Sequence, residues 1–471
     1  MTARLNKRQQ AALQKRQLYR KIIGVMAIVG VVAFLLYRFT LLDTFITHNP
    51  LKTISQIKKE TKDFRDYVCS AQADDVLGKG VELSYVPPAP HVLERYKSNL
   101  ETVNLVTNAS LQATREGGDP VGFDRSTVSD EAHSYSLGKD ASNEPYLRSE
   151  RKVATAATAT WVMDPVSIKQ MDYYFSVELR SEKPISVSLL LTKHDGAQEY
   201  RSYTQLNGKP SWQKIDGYFQ NIEGRYKSVQ LIANSTKIGT TDMRKPVVQA
   251  LKQNPLNSGI VSITFDDGWE SIYKHARPLF EKYDVVTSQY VIGSYTAKET
   301  GGYMSIDQLK KLQAAGHEIA SHSLKHCDQT KLAAADLTYD ATETKNVLTS
   351  NGLGSAGYAY PYGAYDVETF NELQKMHRYT RTSDEGFNDY YVNPYQIRTQ
   401  NVTNETTQAE IDSWLATAKQ YNYWLVLVYH RVDESGEYSI TINQLDKHLM
   451  SIKSSGLSVM TVDQALKAID R

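Results

Sequence analysis

The sequence predicts an α/β protein whose last part, residues 258–471, is a distorted or incomplete (β/α) barrel, preceded by a β-sandwich and an N-terminal transmembrane helix. Three observations carry this reading. From residue 260 onward, short apolar β-branched runs alternate with segments of helical period, the pattern of parallel strands joined by crossover helices. Between about residues 99 and 250, strand-like runs follow one another with turns at Asp164-Pro165, Lys183-Pro184 and Asn207-Gly208. Residues 22–37 are apolar apart from glycine.

A chain of 471 residues exceeds one ordinary core and predicts two or three domains. The net charge of +1 gives no global attraction to nucleic acid. Charge is unevenly spread, however. The leader, residues 1–21, holds Arg4, Lys7, Arg8, Lys15, Arg16, Arg20 and Lys21 and no acidic residue. The apolar segment behind it runs to Leu42 if Arg38 snorkels, which is long enough to span a bilayer. The basic leader predicts a cytoplasmic N-terminus, with residues 43 onward outside the cell membrane. A cleaved signal peptide is the competing reading, but no Ala-x-Ala-like site follows, so residues 22–42 read as a signal anchor.

Residues 43–98 read as a stalk in which Leu51, Ile54, Ile57, Phe64 and Val68 recur at helical spacing among mixed charges, as in a helix laid on a neighbouring domain. In the sandwich, residues 99–250, strands are expected over 153–163, 171–180, 185–193 and 229–233. The pattern is similar to jelly-roll carbohydrate-binding modules. Trp161, Trp212, Tyr218 and Phe219 could offer sugar-stacking faces, although aromatic residues in a sandwich more often fill its core, and a plain spacer is an equal reading.

In the last domain, helices are expected over 270–282, 306–315, 337–350, 408–421, 444–455 and 462–469. Strands are expected over 260–263, 287–292, 318–321, 424–430 and 457–460. Roughly 210 residues are short for eight full βα units, hence the incomplete barrel. Cys69 and Cys327 stand far apart in different predicted segments, which predicts two free thiols. Cys327 directly follows a candidate ligand, and a thiol can bind zinc, but adjacent side chains point apart.

The chemistry-bearing residues sit where strands end. Thr264-Phe265-Asp266-Asp267-Gly268 follows the first strand, and two adjacent carboxylates call for a metal, a shared proton or a cation. His322 and His326 in Ser321-His322-Ser323-Leu324-Lys325-His326 are four apart, which would place both imidazoles on one side of a helical turn. Two imidazoles and one carboxylate form a three-ligand cap that leaves metal positions open. His317 has no partner at ligand spacing and reads as structural. Ala359-Tyr360-Pro361-Tyr362-Gly363 is a strand exit whose N–H groups could serve an oxyanion, and His430 ends the run 424–430 as a candidate general acid.

Together these motifs, over about residues 258–471, resemble the polysaccharide deacetylases, the NodB-homology domain of carbohydrate esterase family 4. The resemblance implies a metal-dependent N-deacetylase with Asp266 as general base, Asp267, His322 and His326 as metal ligands, the Tyr362 N–H at the oxyanion and His430 as acid. Zinc is the default metal for His, His and Asp, while cobalt, nickel or iron would also fit. Two departures stand out: Ala359 where many members have arginine, and Arg431 where many have aspartate. Arg398 could hold Asp266 ionised in place of the arginine missing at Ala359, or be structural. The Ala-Tyr-Pro-Tyr-Gly form is similar to that of deacetylases acting on biofilm poly-N-acetylglucosamine, with peptidoglycan the next substrate. Glycoside hydrolysis fits poorly, because adjacent carboxylates rarely straddle a glycosidic bond. A wall-anchored polysaccharide-binding protein without activity is the alternative of another class, and the intact ligand and base set argues against it.

Overall fold

The computed structural model describes Cys69 and residues 88–470, apart from 128–129, 155–156, 170 and 298–299. The expected leader, transmembrane segment and amphipathic stalk helix lie outside the described residues. Among those described, no helix is long and apolar enough to cross a membrane.

Two antiparallel sheets form the first part. One has five strands in the order His133–Lys139, Pro145–Arg151, Gly239–Ala250, Asp172–Ser181 and Lys209–Gln220. The other has four, Val166–Ser167, Tyr226–Asn234, Ile185–Lys193 and Gln198–Leu206. Phe175, Val177 and Ile215 of the first sheet share one apolar core with Val187, Leu189 and Leu231 of the second. Alternation along each strand is what produces this, since every second side chain faces the opposite sheet. Strands 133–139, 145–151, 198–206, 209–220 and 239–250 are absent from the sequence reading. The last of them contains Pro246, which the ladder accommodates by slipping register between Arg244 and Val247.

The four aromatic residues considered as sugar platforms are committed elsewhere. Trp161 and Phe219 lie in the shared core. Tyr218 belongs to an aromatic cluster against the second part of the molecule. Trp212 is clasped by the guanidiniums of Arg244 and Arg180, at 4.1 and 4.4 Å from its ring centre.

The second part is a closed parallel barrel of seven strands: Ser288–Val291, Glu318–Ser321, Gly357–Ala359, Tyr379–Glu385, Ile397–Asn401, Trp424–Tyr429 and Ile260–Phe265. Closure is irregular. Ser288–Val291 pairs with the carboxyl half of Ile260–Phe265, while the two-residue strand Ser458–Val459 pairs with its amino half. Ile260–Phe265 and Trp424–Tyr429 are buried at every position, as parallel strands covered on both faces must be. Helices Gln408–Tyr421, Ile442–Ser455 and Val462–Ile469 each begin with a threonine capping box, which fixes their starts.

No helix joins Tyr379–Glu385 to Ile397–Asn401. The two-sheet domain covers that side instead, with the short helix Pro90–Ser98, which the sequence reading did not contain. Tyr96 of this helix packs with Tyr174, Tyr218, Leu251 and Tyr391, and its hydroxyl donates to the Tyr391 carbonyl at 3.0 Å. Across the same seam the Gln220 amide donates to the buried Asp389 carboxylate at 2.9 Å.

Cys69 and Cys327 form a disulfide across 258 positions, with Cα atoms 5.3 Å apart. The expectation of two free thiols is corrected: separation along the chain and in predicted segments set no limit on proximity in space. The bond also removes Cys327 as a metal ligand.

Candidate active site

Asp266 and Asp267 stand at the carboxyl end of Ile260–Phe265, where the backbone turns sharply: Asp267 has φ +70° and Gly268 +81°. A side chain at Gly268 would press on Val291 of the neighbouring strand, its Cβ only 3.0 Å from Val291 Cγ1. The turn sends the two carboxylates to different partners, as adjacent residues require.

Asp267 faces the histidines. Its Oδ1 lies 3.5 Å from His322 Nε2 and 3.3 Å from His326 Nε2, and the ligand atoms of the three residues all lie within 4.8 Å of one another. The expected helical turn is absent. The segment after Ser321 is a loop in which Ser323 and His326 take left-handed conformations, φ +62° and +61°. The His326 N–H donates to Ser323 Oγ at 2.7 Å, and the Leu324 N–H is held by the buried Asp340 carboxylate at 3.2 Å. The curl brings the imidazoles together, with ring centres 4.8 Å apart.

The donor set fits a divalent cation. His322 Nδ1 lies 2.9 Å from the Ala359 carbonyl, which makes that nitrogen the N–H and leaves Nε2 as the ligating atom. Asp267 Oδ1 is buried without a hydrogen-bond partner. Burial would raise the Asp267 carboxyl, but His326, His430 and His322, with the Trp269 indole N–H, hold it down at about 2. Burial likewise pushes the His326 imidazole down to about 4, against the pull of Asp267. One anion and neutral imidazoles are the protonation states a metal requires.

Asp266 faces a different cation. The Arg381 guanidinium donates to its Oδ2, deep in the barrel. Arg398, the sequence candidate for this role with a structural reading as its alternative, does not line the catalytic cleft and has no contact with Asp266 among the described residues. Register explains the correction: Arg381 is the strand partner of Ala359, so the guanidinium comes from the adjacent strand at the same level as the motif position that lacks it. Arg381 also lies against the Tyr290 ring, 5.0 Å from its centre. Asp266 Oδ1 is buried without a hydrogen-bond partner, and the residue lines the cleft.

His430 follows Trp424–Tyr429, and its Nε2 stands 4.0 Å from Asp266 Oδ2. Burial drives the imidazole down, with Asp266 and Asp267 pulling the other way. Tyr362 lies in a 3₁₀ turn over Pro361–Gly363 with φ +58°, and its ring meets that of His326 at 4.5 Å between centres. Gly363 is needed for close approach, because a Cβ there would run into Ser383 Oγ. His317 is structural: its Nδ1 accepts the Thr287 N–H at 3.0 Å, away from the cleft.

Asp266, Asp267, His322, His326, Tyr362, Arg381 and His430 therefore line one cleft at the carboxyl ends of the strands. Two members had escaped the sequence reading. Arg381 sits in a strand absent from the sequence reading, and Trp269, whose indole donates to Asp267 Oδ2 at 2.8 Å, directly follows the motif.

A polysaccharide deacetylase family profile matches residues 253–380. The Bacillus subtilis (strain 168) protein YxkH, named for that family, is 26% identical over 213 residues, 45% of this chain and 68% of its own. A chitin deacetylase of Colletotrichum lindemuthianum is 23% identical over 246 residues, 52% of this chain and 90% of the fungal one. A Staphylococcus aureus (strain MRSA252) poly-β-1,6-N-acetyl-D-glucosamine N-deacetylase is 27% identical over 151 residues, which are 28% of this chain and about half, 52%, of that relative. The match to this family and the motifs it spans lead to one assignment: the barrel of this chain is a polysaccharide deacetylase domain, of the NodB-homology, carbohydrate esterase family 4 type.

Proposed function

We propose that this chain is a membrane-anchored, extracellular, metal-dependent deacetylase that removes N-acetyl groups from a polysaccharide containing N-acetylglucosamine, poly-N-acetylglucosamine in the first place and peptidoglycan in the second. The observation that carries the reading is the convergence in one cleft of the Asp267, His322 and His326 donor atoms with the Asp266 carboxylate and the His430 imidazole, which stand 4.0 Å apart. Asp267, His322 and His326 would hold the cation, with zinc the default for such donors. When bound, it supplies Lewis acidity toward the acetyl carbonyl.

The chain's own groups do the rest. Asp266 is held by Arg381 on one oxygen and leaves the other to take a proton from the attacking water. The Tyr362 N–H would donate to the oxygen that gains charge as the carbonyl carbon becomes tetrahedral. His430 gives its proton to the departing nitrogen, because an amide anion is too basic to leave unprotonated. The proximity of His430 to Asp266 lets each proton transfer favour the other, since a negative base stabilises the imidazolium.

The staphylococcal relative's printed substrate and the Ala-Tyr-Pro-Tyr-Gly motif support the first polymer. The basic leader and apolar segment support anchoring, and the Cys69–Cys327 disulfide suits an oxidising compartment outside the cytoplasm. Acetate release by the full-length protein from poly-N-acetylglucosamine, chitin oligomers and peptidoglycan, with and without chelator, tests the proposal. Release confined to the first polymer and abolished by chelator is expected. Release insensitive to a strong chelator sinks the metal assignment, and no release from any of the three sinks the activity.

A further inference from the structure

On the outer side of the barrel wall, where the two-sheet domain replaces a helix, lies a second cleft that the catalytic reading does not use. Successive strand residues point to opposite faces, and the two clefts divide them accordingly. Ser383 and Asn401 face the catalytic cleft, while their neighbours on the same strands, Asp384 and Arg398, face the outer one. From the two-sheet domain, Arg201, Tyr203 and Tyr218 complete the opposing wall.

The charge of this cleft is unbalanced. Among the described residues the Arg398 guanidinium has no hydrogen bond and no ion pair, and it lies 5.9 Å from the centre of the Tyr218 ring. Arg201, from the facing strand, reaches only a 3.6 Å contact with Glu199 and a 3.4 Å hydrogen bond to the Tyr226 hydroxyl. Asp384 is the acidic residue of the lining; it accepts a hydrogen bond from Tyr365 at 2.8 Å and attracts Arg398 without a hydrogen bond between them. Burial raises its carboxyl above the ordinary range, which weakens it further as a counter-charge. Burial also lowers the Arg201 guanidinium, and repulsion from Arg398 is the next cause. Two like charges facing one partly dehydrated space are unfavourable when empty and favourable around an anion.

We propose that this interdomain cleft is a second glycan site, which takes an anionic sugar through a carboxylate or phosphate group held between Arg201 and Arg398. Planar guanidiniums suit the two oxygens of either group. A polymer bearing such groups would be retained by the two-sheet domain while the barrel acts on its N-acetyl groups. The site rests on the cleft's own charge and is independent of the substrate assigned to the catalytic side.

The test compares three probes with the same ring: N-acetylglucosamine, N-acetylmuramic acid, which adds a carboxylate, and N-acetylglucosamine 6-phosphate. Binding to the full-length protein is measured by calorimetry or ligand-observed NMR, for wild type, Arg398→Gln and Arg201→Gln, with thermal melting as the check on folding. At least about tenfold tighter binding of one acidic probe than of the neutral one is expected, reduced to the neutral level in both variants. Preference for the carboxylate or the phosphate identifies which source the cleft is built for. Equal binding of all three probes overturns the proposal, as does an acidic preference that survives in Arg201→Gln. That edge-strand variant keeps the test decisive even if Arg398→Gln does not fold.

Discussion

Replacing Trp269 by phenylalanine isolates one hydrogen bond at the metal site. The indole N–H donates to Asp267 Oδ2 at 2.8 Å, which leaves Oδ1 turned toward His322 and His326. Phenylalanine keeps an aromatic face toward Tyr303, now stacked 4.5 Å away, and toward the Arg431 guanidinium at 3.9 Å, so the lost group is mainly the N–H. A hydrogen bond to a charged acceptor is worth about 1.5–3 kcal/mol, which converts to roughly 10- to 100-fold in metal affinity if its role is to orient the ligand. The carboxyl should stay ionised, because the three histidines precede the indole among the groups that hold it down at about 2. Metal affinity should therefore fall with no change in its pH dependence. Competition with a fluorescent chelator measures both. A dissociation constant within twofold of wild type would show that Asp267 needs no such support, and a shifted pH midpoint would show that the N–H acts on ionisation instead.

Three further outcomes are expected. Asp266→Asn and His430→Ala should each keep the metal while lowering turnover by about 10²–10⁴-fold, whereas His326→Ala should lose both; metal analysis beside acetate release distinguishes them, and metal loss from Asp266→Asn would make that residue a ligand. Reducing the Cys69–Cys327 disulfide, which closes a loop of 258 positions, should cost on the order of 2–5 kcal/mol of stability and loosen the metal, since Cys327 adjoins His326; unchanged melting and unchanged metal affinity would reject that tether. Burial depresses His317, His377 and His448 to about 4 each, so between their ordinary 6.5 and 4 the unfolded chain binds more protons than the folded one. The chelator-treated protein should then lose stability as pH falls through that window, partly offset by Asp340, raised by burial to about 6, whose contribution grows as pH falls below 6; a melting temperature flat from pH 7 to 4.5 would contradict the sign.

The fold was legible where burial is complete on both faces. Trp424–Tyr429 is an unbroken apolar run and Ile260–Phe265 is one but for Ser262 and Thr264, and the helices 408–421 and 462–469 were located to the residue because threonine caps and apolar period agree there. Tyr379–Glu385 and Ile397–Asn401 were missed because their inward faces carry Arg381, Ser383 and Asn401, polar groups that the cleft needs and that erase the apolar signal. That omission led directly to the choice of Arg398. Without the strand 379–385, nothing in the sequence could show that Arg381 stands opposite Ala359.

The site was legible as motifs but not as a shape, because its shape depends on backbone conformations that residue type does not announce. Asp267, Ser323, His326 and Tyr362 all have positive φ although none is glycine, and two of them are proposed metal ligands. Each such residue is disfavoured by about 1–2 kcal/mol, so the conformations persist only where surrounding contacts over-determine them. Those contacts come from outside the motifs. Asp340, on the helix Ala334–Ser350, holds the Leu324 N–H; Trp269 fixes Asp267; Cys69 ties Cys327 beside His326; and the strand below Arg381 sets the level of Asp266. A motif search finds the groups that touch the substrate, whereas the groups that keep those in a costly backbone conformation are scattered over the chain and recognisable only in three dimensions. The same reasoning explains why the histidine pair comes together, as its spacing predicts, without the expected helical turn. The ligand spacing constrains where the imidazoles can meet, and either a helical turn or a left-handed loop satisfies it, so only the supports around Ser323 and His326 decide between them.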